Sequence, residues 1–115
     1  MTIIETKAYK KTESKILKNK TKELEKLENI KNIMISSSNL KELMHSNFKY
    51  IYDIRKKDAN LKELYSASLN GNIRLLFKPC GEYPYNEIEI VEIELIEIND
   101  KHYKGVRIWV ALEVF

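Results

Sequence analysis

Arg74 is the residue of this chain whose placement most needs a chemical reason. It stands in LNGNIRLLFKP, residues 69–79, between Ile73 and Leu75, in a run that otherwise alternates like the second strand of a β-hairpin. A guanidinium is costly to bury without an anion, and its planar fork grips two oxygens of a phosphate or carboxylate without ever losing its charge. Lys78 follows four residues on, along the same side of the strand. Two readings fit the residues equally. Arg74 holds an external anion, or it lies over the sheet on its methylenes or pairs with a carboxylate of the next strand. His45 and His102 can exchange a proton near neutral pH, but an isolated histidine at the end of an element is more often structural, and His45 is assigned no role. The single cysteine, Cys80, reads as passive, because a nucleophilic thiol needs an activating base beside it.

The elements that must position these groups fit within one domain spanning 1–115. A 115-residue chain has room for one hydrophobic core and not two. Apolar residues make up 43% and charged residues 32%, a globular balance that argues against disorder, and no apolar run reaches the length of a membrane span. The opening MTIIETKAYKK has no apolar core of a secretory signal, and one cysteine builds no disulfide framework, so the expected setting is a reducing cytoplasm. Charge is divided along the chain. Residues 1–80 hold 17 Lys and Arg against 9 Asp and Glu, a net +8, and residues 81–115 hold 3 against 8, a net −5. A basic majority suits a polyanion, although lysine-rich helices also simply solvate a surface.

Ile3 and Ile4 begin a short strand, and 7–18 reads as a first helix. In TKELEKLENIKNIMISSS, Leu24, Leu27, Ile30 and Met34 recur at steps of three and four, placing them on one helical face that needs a core. Asn39 with Glu42 has the spacing of a helix N-terminus and predicts a short third helix through Leu43. Phe48, Tyr50 and Tyr52 alternate as in a strand, and Arg55, Lys56, Lys57 and Asp58 follow as a charged loop. Asn70-Gly71 then predicts a hairpin closed by a two-residue type I′ turn. That register sets Ala67 opposite Arg74 and Tyr65 opposite Leu76. Ile73, Leu75 and Phe77 turn toward the helices, and Arg74 turns to the other face. The acidic stretch NEIEIVEIELIEIND, residues 86–100, predicts the next strand. Its alternation slips at Val91 and Ile96, which calls for a bulge, a bend, or burial of both faces. The final KGVRIWVALEVF reads as one more strand.

YSASLNGNIRLLFKP followed by IEIVEIELIEINDKH resembles the C-terminal half of the RelE/HigB-type toxins of bacterial toxin-antitoxin systems, within the RelE/ParE superfamily. The match runs over residues 50–103. The resemblance implies an α+β fold: a small twisted antiparallel sheet, N-terminal helices packed on one face, and an RNA-binding concavity on the other. It places the family's arginine on Arg74, its terminal histidine on His102 and its acidic position on Asp100. Lys101 stands where the family has tyrosine, with Tyr103 adjacent. The family's compact Leu-Lys-Gly stretch before the hairpin is missing, so Arg55, Lys56 and Lys57 are loose counterparts of its basic residues.

The implied activity is that of an mRNA interferase acting in the ribosome, with no cofactor or metal and with a cognate antitoxin as partner. Metal-independent RNA cleavage uses the ribose 2′-OH as nucleophile. It needs a base for that proton, positive charge on the crowded phosphate, and an acid for the leaving 5′-oxygen. Arg74 would serve the phosphate and His102 the proton, while Arg55, Lys56, Lys57 and Lys78 hold the RNA backbone and Tyr65 or Tyr103 stacks a base. Two other classes stay open: a non-catalytic binding module on the same scaffold, either like the ParE-like inhibitors of DNA gyrase or a protein inhibitor using the acidic strand, and a plain structural or interaction domain.

Overall fold

A computed structural model describes residues 1–100 of the chain. His102, Tyr103 and the expected final strand lie outside the described residues. The order is β1 (Thr2–Glu5), α1 (Lys7–Ile16), α2 (Thr21–Ser36), α3 (Leu40–Met44), α4 (Phe48–Ile51), β2 (Arg55–Lys56), a 3₁₀ turn (Ala59–Leu61), β3 (Tyr65–Ser68), β4 (Ile73–Pro79) and β5 (Glu92–Asp100). The described strands form one sheet in the order β1-β5-β4-β3-β2. The α+β architecture is the expected one, with one refinement. β1 runs parallel to β5, so the sheet is mixed. The chain between these two strands passes through all four helices and the other three strands, a connection long enough to bring β1 back in the direction of β5.

The helices cover one face of the sheet. On α2, Leu27, Ile30 and Met34 are buried as their spacing requires, and they join Tyr9, Leu17, Leu40 and Leu43 against Ala67, Leu75, Phe77, Ile93, Leu95 and Ile98 of the sheet. Threonines tie α1 to β5. The Thr6 hydroxyl donates to the Leu95 carbonyl at 2.7 Å, and the Ile98 amide donates to Thr12 Oγ1 at 2.8 Å. Asn39 caps α3 by accepting from the Glu42 amide at 2.9 Å, as the Asn-x-x-Glu spacing predicts.

Four local expectations are corrected. Phe48–Ile51 is helical rather than extended. Over so few residues alternating aromatics fit either period, and the Asn47 carbonyl accepts from the Tyr50 and Ile51 amides, closing a helical turn. Arg55 and Lys56 form an edge strand, paired with Ser66 and Tyr65, and not a loop; exposed basic residues suit an edge that must not recruit another chain. The third change lies upstream of β5, which starts at Glu92 and not at residue 86. The Glu87 and Ile90 carbonyls are instead taken by the Lys41 and Leu40 amides at the start of α3.

The fourth correction moves the hairpin register by one residue. Leu69 N donates to Ile73 O, leaving Asn70, Gly71 and Asn72 as a three-residue loop, and Ser68 stands opposite Arg74 with Ser66 opposite Leu76. The reason is the Asn70 side chain. Its Oδ1 accepts from the Asn72 and Ile73 amides, and its Nδ2 donates to Glu23 of α2 at 2.9 Å, so the side chain takes the place of a tight two-residue turn. The faces are as expected for Ile73, Leu75 and Phe77, while the shifted register puts Ser66 and Ser68 on the face of Arg74 and turns Tyr65 and Ala67 to the core. The slip at Ile96 is a bulge. Leu76 pairs with Glu97 and Phe77 with Leu95, which turns Ile96 onto the open face against Leu64 and Leu76.

Phe77 is fully buried at the centre of the sheet. Phe77→Ala should lower stability by about 3–5 kcal/mol, read as a shift in the urea midpoint, while Asn39→Ala should cost about 1 kcal/mol.

Candidate nucleic-acid interface

Arg74 leaves the middle of the sheet on the face without helices and is 22% exposed at its side chain. All three of its donor nitrogens are engaged. Nε donates to Ser66 Oγ at 2.9 Å, Nη1 to Asp53 Oδ2 at 3.1 Å, and Nη2 to the Asp53 backbone carbonyl at 2.6 Å. Of the two readings open in the sequence, pairing with a carboxylate is realised, but the carboxylate comes from the turn after α4 and not from the next strand. Asp53 is shared. Arg55 reaches the same carboxylate, with Nε donating to Oδ1 at 3.2 Å and Nη2 to Oδ2. The side chain of Asp53 is 48% exposed and that of Arg55 64%, so one solvent-facing carboxylate stands between two guanidiniums and the group keeps net positive charge.

The backbone explains the meeting. Asp53 adopts a positive φ of 46°, in the left-handed region that aspartate tolerates better than most residues. This ends α4, where the Ile54 amide donates back to the Lys49 carbonyl at 2.8 Å, and sends the chain into β2. Arg55 stands opposite Ser66, and the Ser66 hydroxyl oxygen accepts from Arg74 Nε, so Arg55 and Arg74 share the open face. Hydrogen bonding from Arg55, with a further contribution from Arg74, holds the Asp53 carboxyl below its ordinary range against the opposing effect of burial.

The other expected site residues divide. Lys56 is exposed on the edge strand, and Lys57 follows it with its amide donating to the Leu64 carbonyl. Lys78 shares the open face with Arg74 but lies four residues, roughly 13 Å, along β4, opposite Glu94. Tyr65 is corrected. It is 2% exposed, its ring packs on Phe77 and Tyr85, and its hydroxyl donates to Glu87 Oε2 at 3.0 Å, which leaves no ring face for a base. The register shift is the cause, since Tyr65 pairs with Phe77 and faces the helices. His102 and Tyr103 lie outside the described residues.

Several contributors were not visible in the sequence. Asp53 fell between the alternating aromatics read as a strand and the charged loop that begins at Arg55, and the hint of its role was an acid two residues before Arg55. A groove of about 590 Å³ opens beside β2, lined by Met44, His45, Lys49, Tyr50, Arg55, Lys56 and Glu87. It brings His45, given no role from sequence, next to three cations. Cys80 lies apart from this region. Burial first, and then Glu94 and Glu92, push its thiol up to about 11, consistent with the passive reading.

Two measurements check these electrostatics. A carboxyl held low contributes stability that is fully present above its unfolded value, about 3.9, and is lost as pH falls through the folded value. The difference in urea midpoint between the wild type and Asp53→Asn should therefore be constant above about pH 5 and narrow below about pH 4. Alkylation of Cys80 by iodoacetamide, followed by mass spectrometry, should be slow at pH 7.5 and rise steadily toward pH 11.

Comparison with known proteins agrees with this architecture. No protein-family model and no curated protein sequence matches the chain. Among solved structures, YafQ from Escherichia coli strain BL21(DE3) superposes with a TM-score of 0.63 at 12% identity, covering 89% of this chain and 94% of that one. A histidine-to-glutamine mutant of E. coli YafQ gives 0.61 at 13% identity over 89% and 94% of the two chains. A copper-bound mutant toxin from Helicobacter pylori gives 0.54 at 10% identity over 89% and 96%. At such identities the likeness concerns the fold, and it extends over nearly the whole length of each partner. The fold of this chain is that of the YafQ structures and of the H. pylori toxin.

Proposed function

We propose that the chain is a toxin-type endoribonuclease that cleaves mRNA on the ribosome and is neutralised by a cognate antitoxin. The observation that carries this reading is the convergence of Arg74 and Arg55, from two different strands, on one half-exposed carboxylate at the open face of a toxin-like sheet. An RNA phosphate presents the same kind of oxygens as Asp53, so the guanidiniums are already oriented for it. In the reaction a base removes the 2′-OH proton, O2′ attacks phosphorus, the P–O5′ bond breaks, and an acid returns a proton to the 5′-oxygen, leaving a 2′,3′-cyclic phosphate and a 5′-hydroxyl end. Arg74 stabilises charge on the phosphate. His102 exchanges one of the protons, Arg55, Lys56, Lys57 and Lys78 hold flanking phosphates, and Tyr103 stacks a base.

A second reading has its own support. The three contacts of Arg74 to Ser66 and Asp53 would equally suit an arginine that only braces a non-catalytic, ParE-like binding module.

A brief expression pulse followed by sequencing of RNA ends separates the two. The nuclease reading expects growth arrest with new 5′-hydroxyl ends, and about a hundredfold less cleavage, with relief of arrest, in Arg74→Ala and in His102→Ala. Full toxicity in either variant overturns that residue's assignment. Arrest with intact RNA assigns the binding module.

A further inference from the structure

α4 buries none of its four residues, and its exposed large side chains include Phe48, Tyr50 and Ile51. Tyr50 is 79% exposed. An aromatic side chain left in water stabilises nothing by burial, so its surroundings decide what it suits. Those surroundings are cationic. In the groove beside β2, Lys49, Arg55 and Lys56 stand with Glu87, whose Oε2 already accepts from the Tyr65 hydroxyl, and Arg55 also holds the carboxylate of Asp53, which it shares with Arg74. The Lys49 ammonium lies 5.3 Å from the Tyr50 ring centroid. An aromatic plate among fixed positive charges is the arrangement that single-stranded nucleic acid recognises. Bases stack on the ring regardless of sequence, and the cations follow the phosphates. An apolar protein segment would instead have to desolvate all three cations.

We propose that this groove is a binding subsite for one nucleotide of single-stranded RNA, with its base on Tyr50 and its phosphate on Arg55 and Lys56. The subsite is continuous with Arg74, because Arg55 and Arg74 share the Asp53 carboxylate. A nucleotide here therefore flanks the phosphate at Arg74, and the inference rests on the proposed ribonuclease reading. Asp53 is the positioning residue between the two sites.

The test uses the full chain and a fluorescent single-stranded 2′-O-methyl RNA oligonucleotide, whose blocked O2′ prevents cleavage, with binding read by anisotropy. Tyr50→Ala should weaken binding about tenfold or more, and Tyr50→Phe, which keeps the ring, should stay within about twofold of wild type. Arg55→Gln should weaken binding and flatten the slope of log affinity against log salt by about 0.7. Thermal unfolding of Tyr50→Ala should match wild type, since the side chain is exposed. Wild-type affinity in Tyr50→Ala overturns the subsite, as does absence of any binding by wild type. So does a Tyr50→Ala variant that keeps RNA binding but no longer holds its antitoxin, which would make the patch a protein interface. Cleavage of cellular RNA by wild type and Tyr50→Ala alike would remove the subsite while leaving the ribonuclease reading intact.

Discussion

The open face of this protein is organised by one carboxylate held between two guanidiniums. Asp53 is partly in water, so its ion pairs add little to stability, since exposed pairs gain modest Coulomb energy and pay side-chain entropy. Their value is directional. Arg74 is fixed at each of its donor nitrogens, by a strand serine, a carboxylate and a backbone carbonyl, which removes its freedom to swing along the sheet. Arg55 is drawn to the same point from the edge strand. The cost is a non-glycine residue at positive φ, a conformation that persists here because the surrounding hydrogen bonds define it.

This constraint works only because the sheet has two different faces. The helices bury the face carrying Leu75, Phe77, Leu95 and Ile98. The other face is not uniformly polar. Leu64, Leu76 and Ile96 make a small apolar cluster on it, placed there in part by the bulge in β5. Glu97 lies on the same face and is 1% exposed. The arginine therefore sits beside a low-dielectric patch rather than in open solvent, where an ionic contact is stronger than on a fully hydrated surface.

A shared fold is a weak guide to chemistry by itself, because one scaffold carries unrelated functions on different sites. The resemblance to solved toxin structures fixes the architecture, and the functional reading stands on particular side chains. The cations around β2 and the aromatic on α4 give the site its character, and the acidic stretch 86–100 contributes chiefly β5, which joins β1 to the central strand β4.

How much was legible in the sequence follows the range of the interactions involved. The periodicity of Leu27, Ile30 and Met34 determined a buried helix face, Asn39 and Glu42 determined a cap, and the alternation of Ile73, Leu75 and Phe77 determined which side of β4 meets the core, because each depends on neighbours a few residues apart. The isolated charge of Arg74 on the opposite side was legible for the same reason. Its partner was not. Asp53 meets Arg74 across 21 residues, through a left-handed turn and an edge strand too short to leave a pattern. The hairpin register likewise turned on Asn70, whose side chain bonds both the turn and Glu23 of a helix 47 residues away. Local periodicity is set by backbone geometry and can be read along the chain, whereas the pairing of charges and turns between distant segments exists only once the core has brought those segments together.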